Sequence, residues 1–250
     1  MSANLPNDPV ARLKYQVAAV TRILNDEDIL DYSGHVSARL PDNSGYIVQS
    51  MHGSRAELTP DDLFTIGFDD EIQEGPDEDG VRPVSERFIH SEIYKARPDV
   101  NAILHAHPDV PVLFTIAKGA KLEMVKNHGY RWRTGVPTHP DTAHINTEAL
   151  GQELAGTLGD HQAALIRAHG VVLVAEDVAH LLIDAVHFDD NAKAVLELSR
   201  LGPPLPMTDA ELDIFEERFD RPRHAKKLWK YYAGRARSDG LIPDDWPVGP

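Results

Sequence analysis

The chain of 250 residues has no cysteine, thirteen histidines and 25 basic against 40 acidic side chains, a formal net charge of −15. With 42% hydrophobic residues it can bury a sizeable core, and without cysteine it excludes disulfides, iron–sulfur clusters, thiolate zinc sites and cysteine nucleophiles, so any metal sits on nitrogen and oxygen ligands. The acidic balance argues against nucleic acid or an anionic bilayer as partner, no segment reads as a signal peptide or membrane span, and a soluble cytoplasmic protein is expected.

In chain order, Leu13, Val17, Val20 and Leu24 recur at helical spacing and predict an amphipathic helix over about 10–24. Alternation through 32–40, a Pro-Asp-Asn-Ser-Gly turn and the run Tyr46-Ile47-Val48-Gln49 predict a β-hairpin. Residues 69–82 are acidic and glycine-rich and predict a solvated loop or a tight turn at a sheet edge. Ser85 is the expected cap of a helix running to about Ala96, with Phe88, Ile89, Ile93 and Tyr94 on its apolar side. A strand over 100–107 and a helix over 110–117 follow. Residues 118–146 have little periodicity and predict loops and short strands able to line a site. Helix signals return from Thr147 to Leu158, two short apolar strands at 163–167 and 171–175 flank Ala168-His169-Gly170, and a long helix over 176–201 stops at Gly202-Pro203-Pro204. The tail predicts one or two helices over 208–234, divided at Pro222, and a proline-rich arm in the last ten residues. Strands alternating with helices, without repeat or linker, predict an α/β sandwich forming one domain over 1–250 with a helical tail from about 205.

The chemistry centres on His105-Ala106-His107. A strand repeats its side-chain direction every two residues, so both imidazoles share a face and can reach one ion, although an H-x-H pair is as readily structural. Glu86 opens the helix that feeds this strand, and the return can bring its carboxylate beside the strand's C-terminal end. His169-Gly170 lies between two apolar runs, where glycine allows a tight bend. Three imidazoles and one carboxylate suit Zn²⁺, Mn²⁺, Fe²⁺ or Co²⁺ rather than Ca²⁺ or Mg²⁺, and constitute a Lewis-acid site. His90 either orients Glu86 from one helical turn away or is a buried structural histidine. His180 and His187 read as surface or interface residues, and any of His128, His139 and His144 could enter a pocket from the irregular segment of a neighbouring subunit. Tyr231 and Tyr232, beside Trp229, pack a helix face or close the site. Neither a phosphate-binding Walker loop nor G-x-G-x-x-G after a strand is present, so no nucleotide cofactor is expected.

The string Ser85-Glu86-Arg87-Phe88-Ile89-His90, residues 93–108 (IYKARPDVNAILHAHP), Arg167-Ala168-His169-Gly170 and the upstream Gly34-His35-Val36-Ser37-Ala38-Arg39 resemble, in order and spacing, the class II aldolase/adducin family over about residues 10–200. The resemblance implies a three-layer α/β/α sandwich with a central, mainly antiparallel sheet, homotetramers or multiples of them, and active sites near subunit interfaces. It also implies one divalent transition metal per subunit, held by His105, His107 and His169. Glu86 is then the acid/base residue that also binds the metal when substrate is absent, and a proton-donor role requires its pKa to be raised by burial.

Two departures bear on the substrate. Sugar-phosphate aldolases and the ribulose-phosphate epimerase of the family have a G-N turn and a Ser-Ser pair that hold phosphate, where this chain has Gly34-His35 and Val84-Ser85. Losing an amide and a hydroxyl removes partners that a phosphate dianion needs. The G-H turn with S-E-R-F-I-H is instead similar to the branch containing decarboxylases of hydroxylated aromatic or pyridine dicarboxylates, which implies a small anionic organic substrate. His35, Ser37, Arg39 and Ser85 are the candidate anion contacts, with a strand-end salt bridge the other reading of Arg39 and helix capping that of Ser85. An aldolase for a non-phosphorylated hydroxy acid, a dehydratase, an epimerase and an iron oxygenase remain open on the same ligand set. An inert scaffold like adducin is disfavoured by the retained histidines and glutamate. In a protein this acidic, the ion, Arg39 and His35 would have to make the pocket locally positive.

Overall fold

The structure, a computed structural model, describes residues 8–249, and the N-terminal reading rests in part on residues 1–7, outside that range. Asp8 caps α1 (Pro9–Asp26) by accepting from the amides of Val10 and Ala11, and the helix buries Val17, Val20 and Leu24 as the periodicity predicts. The hairpin is β1 (His35–Arg39) and β2 (Gly45–Gln49), antiparallel with Ser37 opposite Val48. Next to β2 pairs β3 (Leu63–Gly67), a strand that the sequence pattern does not predict, because five residues are too few to separate strand from helix by period. The acidic stretch expected as a loop contains a short exposed edge strand, β4 (Ile72–Glu74).

The remaining elements are α2 (Arg87–Ala96), β5 (Ala102–Ala106), α3 (Asp109–Ile116), β6 (Thr138–His139), α4 (Glu148–Leu158), β7 (Ala163–Ile166), β8 (Gly170–Ala175), α5 (Val178–Leu198), α6 (Asp209–Arg218) and α7 (Arg221–Ser238). Ser85 does not cap α2; Glu86 takes the N-cap position, with no side-chain capping bond, which frees its carboxylate for other partners. The break between α6 and α7 falls at Phe219-Asp220, and Pro222 lies in the first turn of α7, where a helix needs no N–H.

One eight-stranded sheet runs in the order β4-β3-β2-β1-β5-β8-β7-β6, every neighbouring pair antiparallel except β6 with β7. Alternate strand residues feed two cores. On one face Val36, Ala38, Leu104 and Leu173 pack with α1, α5 and α7; on the other Val48, Ile103 and Val172 pack with Ile89 and Ile93 of α2 and Leu154 and Leu158 of α4. Helices on both faces of a mainly antiparallel sheet make the expected three-layer α/β/α sandwich. The proline-rich segment after α7 packs back instead of forming an arm. Ile242, Trp246 and Val248 are buried, Trp246 meets Tyr15 edge-on at 5.6 Å, and Trp229 Nε1 donates to the Val248 carbonyl. No described helix is long and apolar enough to cross a membrane.

Candidate metal centre

The sheet register builds this site. β1 and β5 pair with His35 opposite His105, and β5 and β8 place His105 opposite Val172, so His105 sits fully buried at the middle of the sheet. Its Nδ1 lies 3.1 Å from the Val171 carbonyl oxygen, and His107 Nδ1 lies 3.1 and 3.2 Å from the two carboxylate oxygens of Asp31. Carbonyl and carboxylate only accept, so both imidazoles carry the proton on Nδ1 and turn a bare Nε2 lone pair inward. The two Nε2 atoms are 3.0 Å apart. Two facing lone pairs repel unless a cation sits against them, and the spacing approaches the roughly 3.3 Å between nitrogens around a tetrahedral zinc.

Glu86 brings the charge. One of its carboxylate oxygens accepts from the Ile145 amide at 2.9 Å and lies 3.6 Å from His169 Nε2, and the other lies 3.6 Å from His105 Nε2. His169 projects from the β7–β8 turn, where Ala168 adopts a left-handed φ of 54° and its amide donates to Thr115 Oγ1 of α3 at 2.9 Å. Glycine is required next to it: a Cβ on Gly170 would lie 2.5 Å from the Ala106 carbonyl oxygen and 2.9 and 3.1 Å from the rings of His107 and His105. Ligand atoms of Glu86, His105, His107 and His169 all fall within 4.8 Å of one another. These donors fit one borderline divalent ion.

Burial works to raise the Glu86 pKa, but the neighbouring His105 ring, the hydrogen bond from the Ile145 amide and the nearby His169 outweigh it and hold the carboxyl at about 2. The sequence argument for a raised pKa therefore does not hold in the resting site, and the group is carboxylate at neutral pH. Burial, with the neighbouring His105 ring, pushes His169 down to about 4 against the pull of Glu86. His105 is also lowered, chiefly by burial. Neutral imidazole is the form that binds metal.

The expected anion contacts behave differently. His35, Ser37 and Arg39 share the face of β1 that α2 covers. His35 Nδ1 and His90 Nε2 are 2.6 Å apart, His90 Nδ1 and Ser37 Oγ 2.6 Å, and Ser37 Oγ and the Tyr94 hydroxyl 2.8 Å. This buried chain stands behind His105, whose ring is 5.0 Å from that of His35. Burial and the neighbouring His90 hold His35 far below its ordinary pKa, so it is neutral rather than a cationic partner. His90 belongs to this chain and does not touch Glu86. Nor does the structure bring Arg39 to the cluster. Its guanidinium donates to the carbonyls of Tyr94, Arg97 and Val100 at 2.8–2.9 Å, tying the end of α2 to β1, in place of either a substrate contact or a carboxylate partner. Ser85 stays half-buried in the chain position before Glu86.

Asp31 is absent from the sequence reading, and His144 stands there as one of three undistinguished histidines. Asp31 holds His107 from a turn in which it also accepts from the amides of Ser33 and Gly34, and the D-Y-S-G pattern is the signal for such a turn. His144 is the member of the irregular segment that reaches the cluster, with Nδ1 3.9 Å from Glu86 and its ring 5.6 Å from His169, and its side chain is largely exposed. His139 bonds Thr157 instead. On the far side of His107 a cleft of about 500 Å³ is lined by Asp28, Asp31, Asp109, Asp189 and Lys193. Four carboxylates and one lysine make this cleft unfavourable to anions.

A family profile described as Class II Aldolase and Adducin N-terminal domain matches residues 15–196. The chain belongs to the class II aldolase and adducin family. It is 28% identical to a 3,4-dihydroxyphthalate decarboxylase of Arthrobacter keyseri over 76% of this chain and 79% of that one. A second 3,4-dihydroxyphthalate decarboxylase, from Rhodococcus jostii, is 27% identical over 81% of this chain and 86% of its own. The fold matches the crystal structure of an aldolase II superfamily protein from Pseudomonas syringae with a TM-score of 0.80, at 19% identity, over 97% of this chain and 98% of that one. Other relatives are named as dehydratases and aldolases. The chain is a metal-dependent lyase of this family, whose class II aldolases use one divalent metal.

Proposed function

We propose that this enzyme removes CO₂ from a hydroxylated aromatic or heteroaromatic carboxylate, a dicarboxylate of the phthalate kind, with His105, His107, His169 and Glu86 holding one divalent transition metal per subunit. The observation that carries the reading is the wall beside the cluster. Where the family's sugar-phosphate enzymes have polar phosphate partners, Val84 is buried in the core and His35 is buried against His90. Of the family's Ser-Ser pair only the Ser85 hydroxyl is left, and the wall offers a phosphate dianion fewer partners. The two decarboxylase relatives add support for a carboxylate in its place.

The bound ion supplies Lewis-acid withdrawal of electrons from a neighbouring hydroxyl and carboxylate. Asp31 and the Val171 carbonyl keep both Nε2 lone pairs directed inward. Glu86, held as carboxylate, takes the proton of the substrate hydroxyl. The bond from ring carbon to carboxylate breaks, CO₂ leaves, and the electron pair stays on the ring carbon. Glu86 then returns its proton to that carbon, acting as base first and acid second. Because His35 is neutral and Arg39 is turned to carbonyls, neither brings positive charge to the substrate, and an ion held by His105, His107, His169 and Glu86 would have to supply it. A homotetramer or a multiple of it, as the family resemblance implies, would close the exposed His144 side with a neighbouring subunit.

Incubating the metal-reconstituted protein with 3,4-dihydroxyphthalate and with hydroxylated pyridine dicarboxylates, and measuring CO₂, tests the reading. CO₂ in step with substrate loss is expected. Pyruvate or an aldehyde without CO₂ would assign the site to aldol cleavage, and O₂ consumption by the iron-loaded protein to oxygenation; either outcome overturns the proposal.

A further inference from the structure

Three histidines outside the centre described above come together from three separate elements: His128 from a 3₁₀ turn (Asn127–Trp132), His187 from the middle of α5, and His224 from the start of α7. His128 and His187 lie face to face at 3.8 Å between ring centroids, and His224 is 5.1 and 5.3 Å from them. One ring nitrogen from each falls within 4.8 Å of the other two. Phe215 and Phe219 of the α6 end wall the group, at 5.3 Å from His128, and Phe219 is 5.0 Å from His224.

The group has an unmet need. His128 Nδ1 and His224 Nε2 are buried with no hydrogen-bond partner, and the phenylalanine walls supply none. A buried ring nitrogen without a partner calls for an ordered water or an ion, and here two of them stand in one group of three imidazoles.

We propose that His128, His187 and His224 form a second metal site, for a borderline divalent transition ion of the Zn²⁺ class, which ties the C-terminal helix α7 to α5 and the 127–132 turn. Three imidazoles from well-separated chain positions match the preference of Zn²⁺, Co²⁺, Ni²⁺ and Cu²⁺ for nitrogen. Roughly 3.3 Å between ligand nitrogens is needed for a tetrahedral ion, so the stacked His128 and His187 rings splay about their side-chain torsions as the ion enters. Solvent takes the fourth position. With no carboxylate in the sphere and two phenylalanines against it, the site's role is to fasten elements together.

Equilibrium titration of the chelator-stripped full-length protein with Zn²⁺ alone, with metal content measured after desalting, tests this. The account expects two equivalents per chain in the native protein, one in His187→Gln, and one in the His105→Ala/His107→Ala double variant. It also expects Zn²⁺ to raise the Tm of that double variant, and the rise to vanish when His224→Gln is added. A native stoichiometry of one that disappears in His105→Ala/His107→Ala overturns the second site and leaves the first intact. A single equivalent that survives in that variant but is lost in His187→Gln supports the second site and contradicts the first. If His187→Gln fails to fold by circular dichroism, His224→Gln carries the same test, and retention of both equivalents in it overturns the proposal.

Discussion

The Glu86 centre and the His128 cluster are built mainly from the same side chain, and they differ in what stands behind each ring. His105 and His107 each have the outer nitrogen fixed, by the Val171 carbonyl and by Asp31, and a carboxylate closes the set. At the second cluster the rings stack on one another and on phenylalanine, and two buried nitrogens have no partner. Outer partners fix tautomer and aim at His105 and His107 before any ion arrives, although His169 Nδ1 has none, so the first centre is largely preorganised for chemistry, whereas the second must rearrange to bind. A count of histidines does not distinguish the two; the second layer of contacts does.

The comparison can be broken most severely at His105. Its replacement by Ala should abolish metal binding at the first centre and reduce turnover to background, read by metal content and CO₂ release; tight retention of that ion would contradict the ligand assignment. Glu86→Gln should preserve the fold and lower kcat by roughly 10²–10⁴-fold, the usual worth of a positioned acid/base group. If Glu86 were a structural N-cap alone, Tm would fall and kcat would not. Asp31→Asn removes the negative charge behind His107 while leaving an amide oxygen to accept from the Ser33 and Gly34 amides, and should weaken metal affinity by about 10–100-fold with kcat at saturating metal little changed. No equivalent variant exists for the second cluster, which has no such partner to remove.

Acid sensitivity of the stripped protein is the smallest expected effect. Burial first, with neighbouring imidazoles, lowers His90 and His187 to about 3 and His128 and His169 to about 4, from an ordinary 6.5. Each therefore binds more protons unfolded than folded, so stability is full above about pH 6.5 and declines as pH falls toward 3–4. Tm measured across that range in chelator should drop on the acid side, and a flat profile would show that the imidazoles are not buried as described.

Strand alternation and helical period made much of the architecture legible: the hairpin, α2, β5, β7, β8 and α5 lie near their predicted places. β3 is too short to announce itself, and the packing of Trp246 against Tyr15 is a tertiary contact that local composition does not reveal. At the site the period of two correctly put His105 and His107 together. The same alternation aligned His35, Ser37 and Arg39 on one face, yet it could not show that α2 covers this face and takes up their hydrogen bonds. Asp31 and His144 lie in irregular chain, where spacing has no fixed geometric meaning.

The central claim is that one divalent ion is held by His105, His107, His169 and Glu86. Zinc-edge X-ray absorption on His187→Gln protein loaded with a single equivalent tests it most directly, because the second cluster is then removed. The account predicts scattering from three imidazoles with Zn–N at about 2.0–2.1 Å plus oxygen, with the imidazole signal reduced in the added His169→Ala variant. A sphere with one imidazole or none, or a spectrum unchanged by His169→Ala, would contradict it.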